Sequence, residues 1–130
     1  MIVDSSVLVA ALRKEEDYAH WTERLYDNSP QLKLSAATYL ETSIVIDSRE
    51  DADASANLDR FLDRLLVEIV AVTPKQARIA RSAYARFGKG RGHPARLNFG
   101  DCFSYALAID TGEALLFKGD DFARTDVRAA

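Results

Sequence analysis

The 130-residue chain is poor in cysteine and histidine, with only Cys102, His20 and His93. This excludes an internal disulfide, a multi-cysteine zinc site and a histidine-rich metal centre. The sequence also lacks any apolar run near the ~18–20 residues that a membrane-spanning helix needs. Its first residues, Met1–Val3, are followed at once by Asp4 and lack the basic start of a signal peptide. We therefore expect a cytoplasmic protein with no membrane segment.

Positive charge is not in excess, since 17 Lys and Arg residues are set against 20 Asp and Glu residues and the formal net charge is -3. General binding to nucleic acid depends on surplus Lys and Arg, so the chain as a whole is unsuited to it. A chain of this length that is 48% hydrophobic supports one domain with its own core. We find no internal repeat and expect a single domain over residues 1–130.

Short apolar runs and amphipathic stretches follow one another in the order β-α-α-β-α-α-β-α-α-β. The predicted strands cover residues 2–3, 32–34, 68–72 and 114–117. The predicted helices cover residues 7–12, 17–28, 35–49, 51–66, 75–87 and 100–110. Buried strands that alternate with amphipathic helices favour an α/β fold, with a central parallel sheet flanked by helices on both faces.

Two predicted helices have a distinct apolar side. The helix over 35–49 places Leu40, Ile44 and Val45 on one stripe. The helix over 51–66 is strongly amphipathic. Its apolar face comprises Leu58, Phe61, Leu62, Leu65 and Leu66. The segment 88–94, with three glycines and a proline, predicts a mobile basic loop instead of regular structure.

Acidic residues stand at positions where a core-building sequence has no use for them. Asp4 directly follows the first strand, Glu41 lies inside a mostly apolar helix, and Asp101 begins a helix. Asp120 and Asp121 follow the last strand. In a parallel α/β sheet, ligands collect beyond the carboxyl ends of the strands. We therefore expect several of these carboxylates to converge at one edge of the sheet.

Such convergence carries an electrostatic cost that a bound cation would remove. Two like charges about 4 Å apart repel by roughly 4 kcal/mol at an effective dielectric near 20, against a domain stability of only about 5–15 kcal/mol. All-oxygen ligands with retained water suit Mg²⁺ or Mn²⁺ better than Zn²⁺. Taken singly, the same residues are also typical of other roles: Asp4 and Asp101 of helix caps, Glu41 of a solvated helix residue, and Asp120-Asp121 of a turn.

Four segments resemble those of the PIN-domain ribonucleases, and closely those of the VapC toxins of VapBC toxin–antitoxin pairs. They are Met1–Leu8, Leu34–Glu41, Leu97–Ala106 and Leu115–Phe122. The most specific parts are the run Asn98-Phe99-Gly100-Asp101 and the closing run Lys118-Gly119-Asp120-Asp121-Phe122. The similarity in order and spacing extends over nearly the whole chain.

The resemblance implies a PIN fold and a Mg²⁺- or Mn²⁺-dependent endoribonuclease whose products carry 5′-phosphate and 3′-hydroxyl ends. By position, it implies that Asp4 and Asp101 are the principal metal ligands. Glu41 would be a further ligand or would orient the water on the metal. This agrees with the residue types, since a carboxylate-held divalent cation supplies both an activated water and a shield for charge on a phosphate.

The fourth acid of the family is harder to place. In many relatives it follows a hydroxyl residue by two positions, and counting from Phe117 gives Gly119 here, so the chain departs from that pattern. Asp120 is the nearest substitute, and Asp121 is the alternative or a cap of the following turn. Ser6 either caps the first helix or reaches the site by a hydrogen bond.

A basic cluster precedes the third acid in the chain. Lys89, Arg91, His93 and Arg96 lie shortly before Asp101, and we expect them to contact the RNA backbone. The alternative is a solubilising surface loop. These two interpretations remain open from the sequence.

The resemblance also implies partners: a cognate VapB-type antitoxin and a second copy of the chain in a homodimer. The apolar faces of the first two helices and of the helix over 51–66 are suited to an antitoxin helix.

Two rival functions are a phosphoacceptor signalling domain and a non-catalytic interaction domain. The first needs an acceptor Asp after a middle strand, and Val70–Thr73 has none. The presence of Asp4, Glu41 and Asp101 argues against the second.

Overall fold

A computed structural model describes residues 1–48 and 52–130 of the chain. The strands are β1 (Ile2–Val3), β2 (Lys33–Ser35), β3 (Glu68–Val70) and β4 (Leu115–Leu116). The helices are α1 (Ser5–Leu12), α2 (Tyr18–Asp27), α3 (Ala36–Asp47), α4 (Ala52–Arg64), α5 (Pro74–Phe87) and α6 (Asp101–Thr111), and a short 3-10 helix covers Phe122–Arg124. The predicted order of elements is confirmed, while the predicted helix ends at Arg49 and Asp51 lie outside the described residues.

The strands form one parallel sheet in the order β3-β2-β1-β4. Ile2 of the central strand β1 lies opposite Lys33 of β2 on one side and Leu115 of β4 on the other. The carboxyl ends of these three strands therefore meet at one edge of the sheet. We call it the carboxyl edge; Asp4 follows β1 there and Phe117 follows β4.

Consecutive residues of β1 and of β4 point to opposite faces of the sheet, as the two-residue period of a strand requires. Ile2 and Leu115 join an apolar cluster with α5 and α6, whereas Val3 and Leu116 join a second cluster with α1, α2 and α4. All four side chains are almost completely buried. Helices thus cover both faces, which confirms the predicted α/β architecture.

Helix α3 buries hydroxyl groups and exposes aliphatic side chains. Leu40 and Ile44, two members of the predicted apolar stripe, are 58% and 59% exposed, whereas Thr38 and Thr42 are fully buried. The reason lies in α6, where the Ser104 hydroxyl lies 3.1 Å from that of Thr38. Because the buried hydroxyl needs a polar partner, α3 turns this side inward and its aliphatic stripe toward solvent.

The strand predicted over 68–72 is shorter and more exposed than expected. It ends at Val70, and both Ile69 and Val72 are exposed. β3 is one of the two edge strands and, among the described residues, pairs only with β2, whereas the other edge strand, β4, gains a further bridge between Leu115 and Ala129. The prediction of a buried strand was wrong here because apolar composition does not distinguish an edge strand from a central one.

The end of α4 also differs from the prediction. The helix ends at Arg64, and Leu66 adopts a left-handed backbone conformation with φ of +53°. This turn leaves Leu65 fully buried but Leu66 65% exposed. The two leucines therefore do not share the predicted apolar face.

The basic loop is tied down at its base. A β-bridge pairs Gly88 with Leu97, and the N–H of Leu97 donates to the carbonyl of Phe87 at 2.8 Å. Ala95 and Leu97 are fully buried in the core. The loop predicted as mobile is thus closed by backbone hydrogen bonds and anchored by apolar side chains.

Across residues 1–48 and 52–130, the model contains no helix with the length and apolarity that a membrane crossing requires.

The neighbouring leucines after α4 offer a matched test of this packing. We expect Leu65→Ala to lower the free energy of unfolding by about 2–5 kcal/mol, because it leaves a cavity in the core. Leu66→Ala should change it by less than about 0.5 kcal/mol, because that side chain lies mostly in water. Urea unfolding of both variants measures the difference, and equal losses would contradict the described end of α4.

Candidate active site

Asp4 occupies the centre of the carboxyl edge, between β1 and the start of α1. Its Oδ2 atom accepts hydrogen bonds from the backbone N–H of Ser6 at 3.0 Å and from the Ser6 hydroxyl at 2.7 Å. Its Oδ1 atom accepts a bond from the Ser104 hydroxyl at 2.7 Å. The carboxylate is buried and caps α1, yet a carboxylate has about four lone-pair sites, so acceptor capacity remains. Capping and ligand binding are therefore compatible at this residue.

Asp101 begins α6 and is locked by a reciprocal pair of hydrogen bonds with Asn98. Its Oδ2 accepts from the Asn98 N–H at 2.8 Å, and the Asn98 side-chain oxygen accepts from the Asp101 N–H at 2.9 Å. Burial raises the pKa of Asp101 to about 7, and the charges of Asp4, Asp121 and Glu41 raise it further against the lowering effect of the Asn98 bond. The carboxylates thus act on one another electrostatically.

Glu41 reaches the same site from α3. Burial, followed by the charge of Asp4, raises the pKa of Glu41 above its ordinary value. The Glu41 carboxylate lies directly over Gly100, where a Cβ atom would overlap it. Gly100 is therefore required for this close approach. Among the described residues, the buried Oε2 atom of Glu41 has no hydrogen-bond partner.

The two acids after β4 differ in their relation to the site. Both are exposed, and the charge of Asp121 is among those that raise the pKa of Asp101. Asp121 stands at the N-terminal position of the 3-10 helix Phe122–Arg124, but its side chain makes no capping hydrogen bond there. The alternative role of Asp121 as a turn cap is therefore wrong. Asp120 makes no contact that would link it to the site in the described structure.

A hydrogen-bond chain connects the exit of β4 to Asp4. The backbone N–H of Lys118 donates to the Ser6 hydroxyl at 3.0 Å, and that hydroxyl donates to Asp4. The Lys118 ammonium also binds Glu15 at 2.5 Å and Asp17 at 2.7 Å, in the turn between α1 and α2. Ser6 therefore reaches the site by a hydrogen bond, as one of its two predicted roles required.

Sequence reasoning missed Ser104 and the anchoring role of Lys118. Ser104 lies three residues after Asp101 in α6, a spacing that places both side chains on the same side of a helix. That spacing was the available signal for Ser104. The ion pairs of Lys118 join segments about one hundred residues apart in the chain, so no local sequence pattern predicts them.

The donor set fits a hard divalent cation. Asp4, Glu41 and Asp101 offer only oxygen ligands, and the unpartnered Oε2 atom of Glu41 is a buried acceptor that a cation would satisfy. No three Asp, Glu, His or Cys side chains in the described ranges form a closed ligand cluster. Mg²⁺ does not need one, because it keeps several waters and is usually bound through one or two carboxylates.

The four predicted RNA-binding residues lie on one loop but differ in their contacts. The Nδ1 atom of His93 accepts a hydrogen bond from the Ala95 N–H at 3.1 Å, so this ring helps to shape the loop. Lys89 and Arg96 are exposed to solvent. The guanidinium of Arg91 lies 5.6 Å from the centroid of the Tyr84 ring and lines a cavity between α5 and α6.

Two cavities share Phe99 and Phe103 as lining residues, and we name them after their helices. The α3 cavity, of about 560 Å³, is lined by residues that include Leu40, Glu41, Ile44 and Phe99. The α5 cavity, of about 550 Å³, is lined by residues that include Arg81, Tyr84, Arg91, Phe99 and Phe103. Phe99 and Phe103 belong to both cavities. The acids thus lie beside a mostly apolar and aromatic surface.

The sequence matches known proteins over its whole length. A PIN-domain family model matches residues 1–128. The chain is 52% identical over 130 residues to Ribonuclease VapC28 of Mycobacterium tuberculosis, covering 100% of this chain and 97% of that protein. It is 51% identical over 129 residues to Ribonuclease VapC of Mycolicibacterium smegmatis, covering 99% and 98%.

Solved structures share the fold at lower sequence identity. Mycobacterium tuberculosis VapC20, a Sarcin-Ricin loop cleaving toxin, superposes with a TM-score of 0.77 at 19% identity, covering 99% of this chain and 97% of that one. VapBC2 from Rickettsia felis, bound to a DNA fragment from its promoter, gives a TM-score of 0.74 at 19% identity, covering 98% and 94%. At this level of identity the likeness establishes the fold.

The raised pKa of Asp101 predicts how the stability of the metal-free protein depends on pH. The pKa is about 7 in the folded protein against an ordinary value of 3.8, so the folded state binds the extra proton between these values. Stability should therefore fall as the pH rises from about 4 to 7 and stay low above it. Asp101→Asn removes the charge but keeps an acceptor for the Asn98 N–H.

We expect Asp101→Asn to be more stable than the wild type by roughly 2–4 kcal/mol at pH 8 in EDTA. The advantage should shrink to a small remainder at pH 4, because that pH lies close to the ordinary value of 3.8 and the carboxyl is protonated in the fold and partly protonated in the unfolded chain. Urea unfolding at the two pH values measures it. A variant that is less stable at pH 8 would show that the Asp101 charge is compensated in the fold.

Proposed function

Because the chain belongs to the VapC ribonucleases of the PIN-domain family, we propose that it is the endoribonuclease toxin of a type II toxin–antitoxin pair. We assign it a single PIN domain over residues 1–130, a cytoplasmic location and Mg²⁺ or Mn²⁺ as cofactor. The observation that carries the proposal is the shared electrostatic site of Asp4, Glu41 and Asp101, in which each of the other two charges raises the pKa of Asp101.

Asp4 and Asp101 would hold the cation directly, and Glu41 would be a further ligand or orient its water, with Asp121 as the favoured fourth acid and Asp120 as the alternative. When bound, the cation activates water for attack on a phosphodiester bond and offsets the charge that grows on the phosphate. The chain positions its own ligands: Ser104 holds one oxygen of Asp4, and Asn98 holds Asp101.

A metal titration with RNA cleavage as the readout tests this function. We expect a fluorogenic single-stranded RNA to be cleaved with Mg²⁺ or Mn²⁺ and to stay intact in EDTA. Ser104→Ala should lower the rate by about 10–100-fold, because it removes the hydroxyl that orients the carboxylate of Asp4. Asp4→Asn and Asp101→Asn should lower the rate further.

Asp110→Asn is the matched control for Asp101→Asn. Asp110 also lies in α6, but it pairs with Lys75 at 2.6 Å and takes no part in the acidic site. Its replacement should leave the cleavage rate within about twofold, because Asp110 lies near the opposite end of α6 from Asp101. Cleavage that persists in EDTA, or that Asp101→Asn leaves unchanged, would contradict the proposed mechanism.

RNA contacts are proposed for the basic loop, with Arg91 as the main residue and Lys89, His93 and Arg96 as secondary ones. Arg91 is favoured because it lines the α5 cavity, which reaches Phe99 beside the acids. The loop is fixed at its base, so these side chains are presented from a defined position. A net charge of -3 makes such a local basic surface necessary for an RNA substrate.

A VapB-type antitoxin is proposed as the protein partner. The structure of VapBC2 from Rickettsia felis, which shares this fold, supports a partner of that kind. On this chain the exposed aromatic side chains of Tyr18 and Tyr26 on α2, with Phe61 of α4 packed edge-on against Tyr26, offer a surface for an amphipathic antitoxin helix. A basic antitoxin side chain would then neutralise the acids.

We further propose a homodimer that covers the exposed stripe of α3. Leu40 and Ile44 are more than half exposed and lie beside Phe99, and contiguous apolar surface of this kind is typical of a protein interface. Light scattering should find a dimer for the wild type and a monomer for Ile44→Lys. Ile109→Lys, at an exposed isoleucine of α6, should stay dimeric. A monomeric wild type would rule the dimer out.

A further inference from the structure

The α5 cavity has the size and lining of a ligand site. Its volume of about 550 Å³ falls within the range of roughly 300–1,000 Å³ that is typical of small-molecule pockets. Three alanines of α5 form part of its lining. Its functional side chains are three aromatic rings and two guanidinium groups: Tyr84, Phe99, Phe103, Arg81 and Arg91.

The aromatic side of the cavity, formed by Phe99 and Phe103, presents a flat ring surface to solvent. Phe99 is 76% exposed, the most exposed of the large apolar side chains in the described part of the chain. Its ring meets that of Phe103 edge-on, with centroids 5.0 Å apart and an angle of 85° between the ring planes. Phe99 thus packs against a neighbouring ring while most of its surface stays accessible to a ligand. Fixed, exposed aromatic rings are the usual stacking platform for unpaired bases.

The two guanidinium groups that line the cavity are available to bind an anion. Arg81 and Arg91 have no carboxylate partner among the described residues, in contrast to Arg86, which pairs with Asp126 at 3.0 Å. The Arg91 guanidinium lies over the Tyr84 ring, 5.6 Å from its centroid, which orients its donors. A planar guanidinium matches the geometry of a phosphate and forms two parallel hydrogen bonds with it.

The position of the cavity connects it to the acidic site. Phe99 is separated from Asp101 by Gly100 alone, and it also lines the α3 cavity, whose wall includes Glu41. A nucleotide bound against Phe99 would therefore be a close neighbour of one held at the acids. The two arginines also offset the negative field that the acids direct at an approaching RNA.

We propose that the α5 cavity receives an unpaired base of the RNA, stacked on Phe99, while Arg81 and Arg91 bind the adjoining phosphate. This inference rests on the proposed ribonuclease function and identifies its substrate as RNA that is single-stranded beside the cleaved bond. A base inside a double helix is already stacked and presents no free face. The apolar lining and the paired cations favour a nucleotide over a protein segment.

Binding of a short RNA in EDTA tests the cavity without cleavage. The probe is a mixed-sequence single-stranded RNA decamer with one 2-aminopurine, compared with the same decamer lacking a single base and with its duplex. We expect quenching of 2-aminopurine on binding. Phe99→Ala should weaken binding of the intact decamer by about 5- to 100-fold and affect the abasic decamer and the duplex much less.

The arginine is tested with a charge-matched control on the same helix. Arg81→Gln should weaken binding of both single-stranded decamers and reduce the slope of log affinity against log salt by about 0.7. Arg78→Gln removes the same charge from an exposed residue of α5 outside the cavity and should leave the affinity within about twofold. Equal effects of the two changes would overturn the assignment of Arg81.

Other results separate this inference from the proposed function. If the protein cleaves the decamer with Mn²⁺ but binds intact and abasic decamers equally, the cavity assignment fails and the ribonuclease function stands. If binding depends on the base and on Phe99 but no metal supports cleavage, the ribonuclease function fails and the cavity assignment stands. If Phe99→Ala changes only the oligomeric state in light scattering, the cavity is a protein interface and the inference is overturned.

Discussion

The hydrogen bonds to Asp4 are the interaction on which the rest of the site depends. Ser6 of α1 and Ser104 of α6 hold its two oxygens, and the N–H of Lys118 after β4 donates to Ser6. Three segments that are far apart in the chain are thus joined at one buried carboxylate. Because that carboxylate follows the central strand, its position is set by the sheet, and the other acids are placed relative to it by α3 and α6.

A group of carboxylates at this edge is unfavourable for the metal-free fold. Burial raises the pKa of both Glu41 and Asp101, which means that each charge costs free energy when it forms. The fold tolerates this cost because two apolar clusters, one on each face of the sheet, supply the stability elsewhere. Stability is therefore given up at this site, as is common where a fold keeps a functional group of charges.

The side of α3 that faces the core is polar, and this has a functional consequence. The buried Thr38 hydroxyl lies beside that of Ser104, which donates to Asp4, so the helix supports the hydrogen bonds around Asp4 from within. Its aliphatic residues Leu40 and Ile44 are left outside, beside Phe99. The same orientation therefore builds the polar interior of the site and the apolar surface next to it, where partners and substrate are proposed to bind.

Apolar periodicity was enough to predict the order of strands and helices, and the family motifs drew attention to Asp4, Glu41 and Asp101, whose charges interact in the structure. Both signals are local in the chain. Three features depended on contacts between distant segments: the outward orientation of Leu40 and Ile44, the role of Ser104, and the proximity of Asp121 to Asp101. Local sequence determines which element forms, since periodicity and capping act over a few residues. Only tertiary packing decides which face each element buries and which charges meet, because those energies arise between residues that are as many as 112 positions apart.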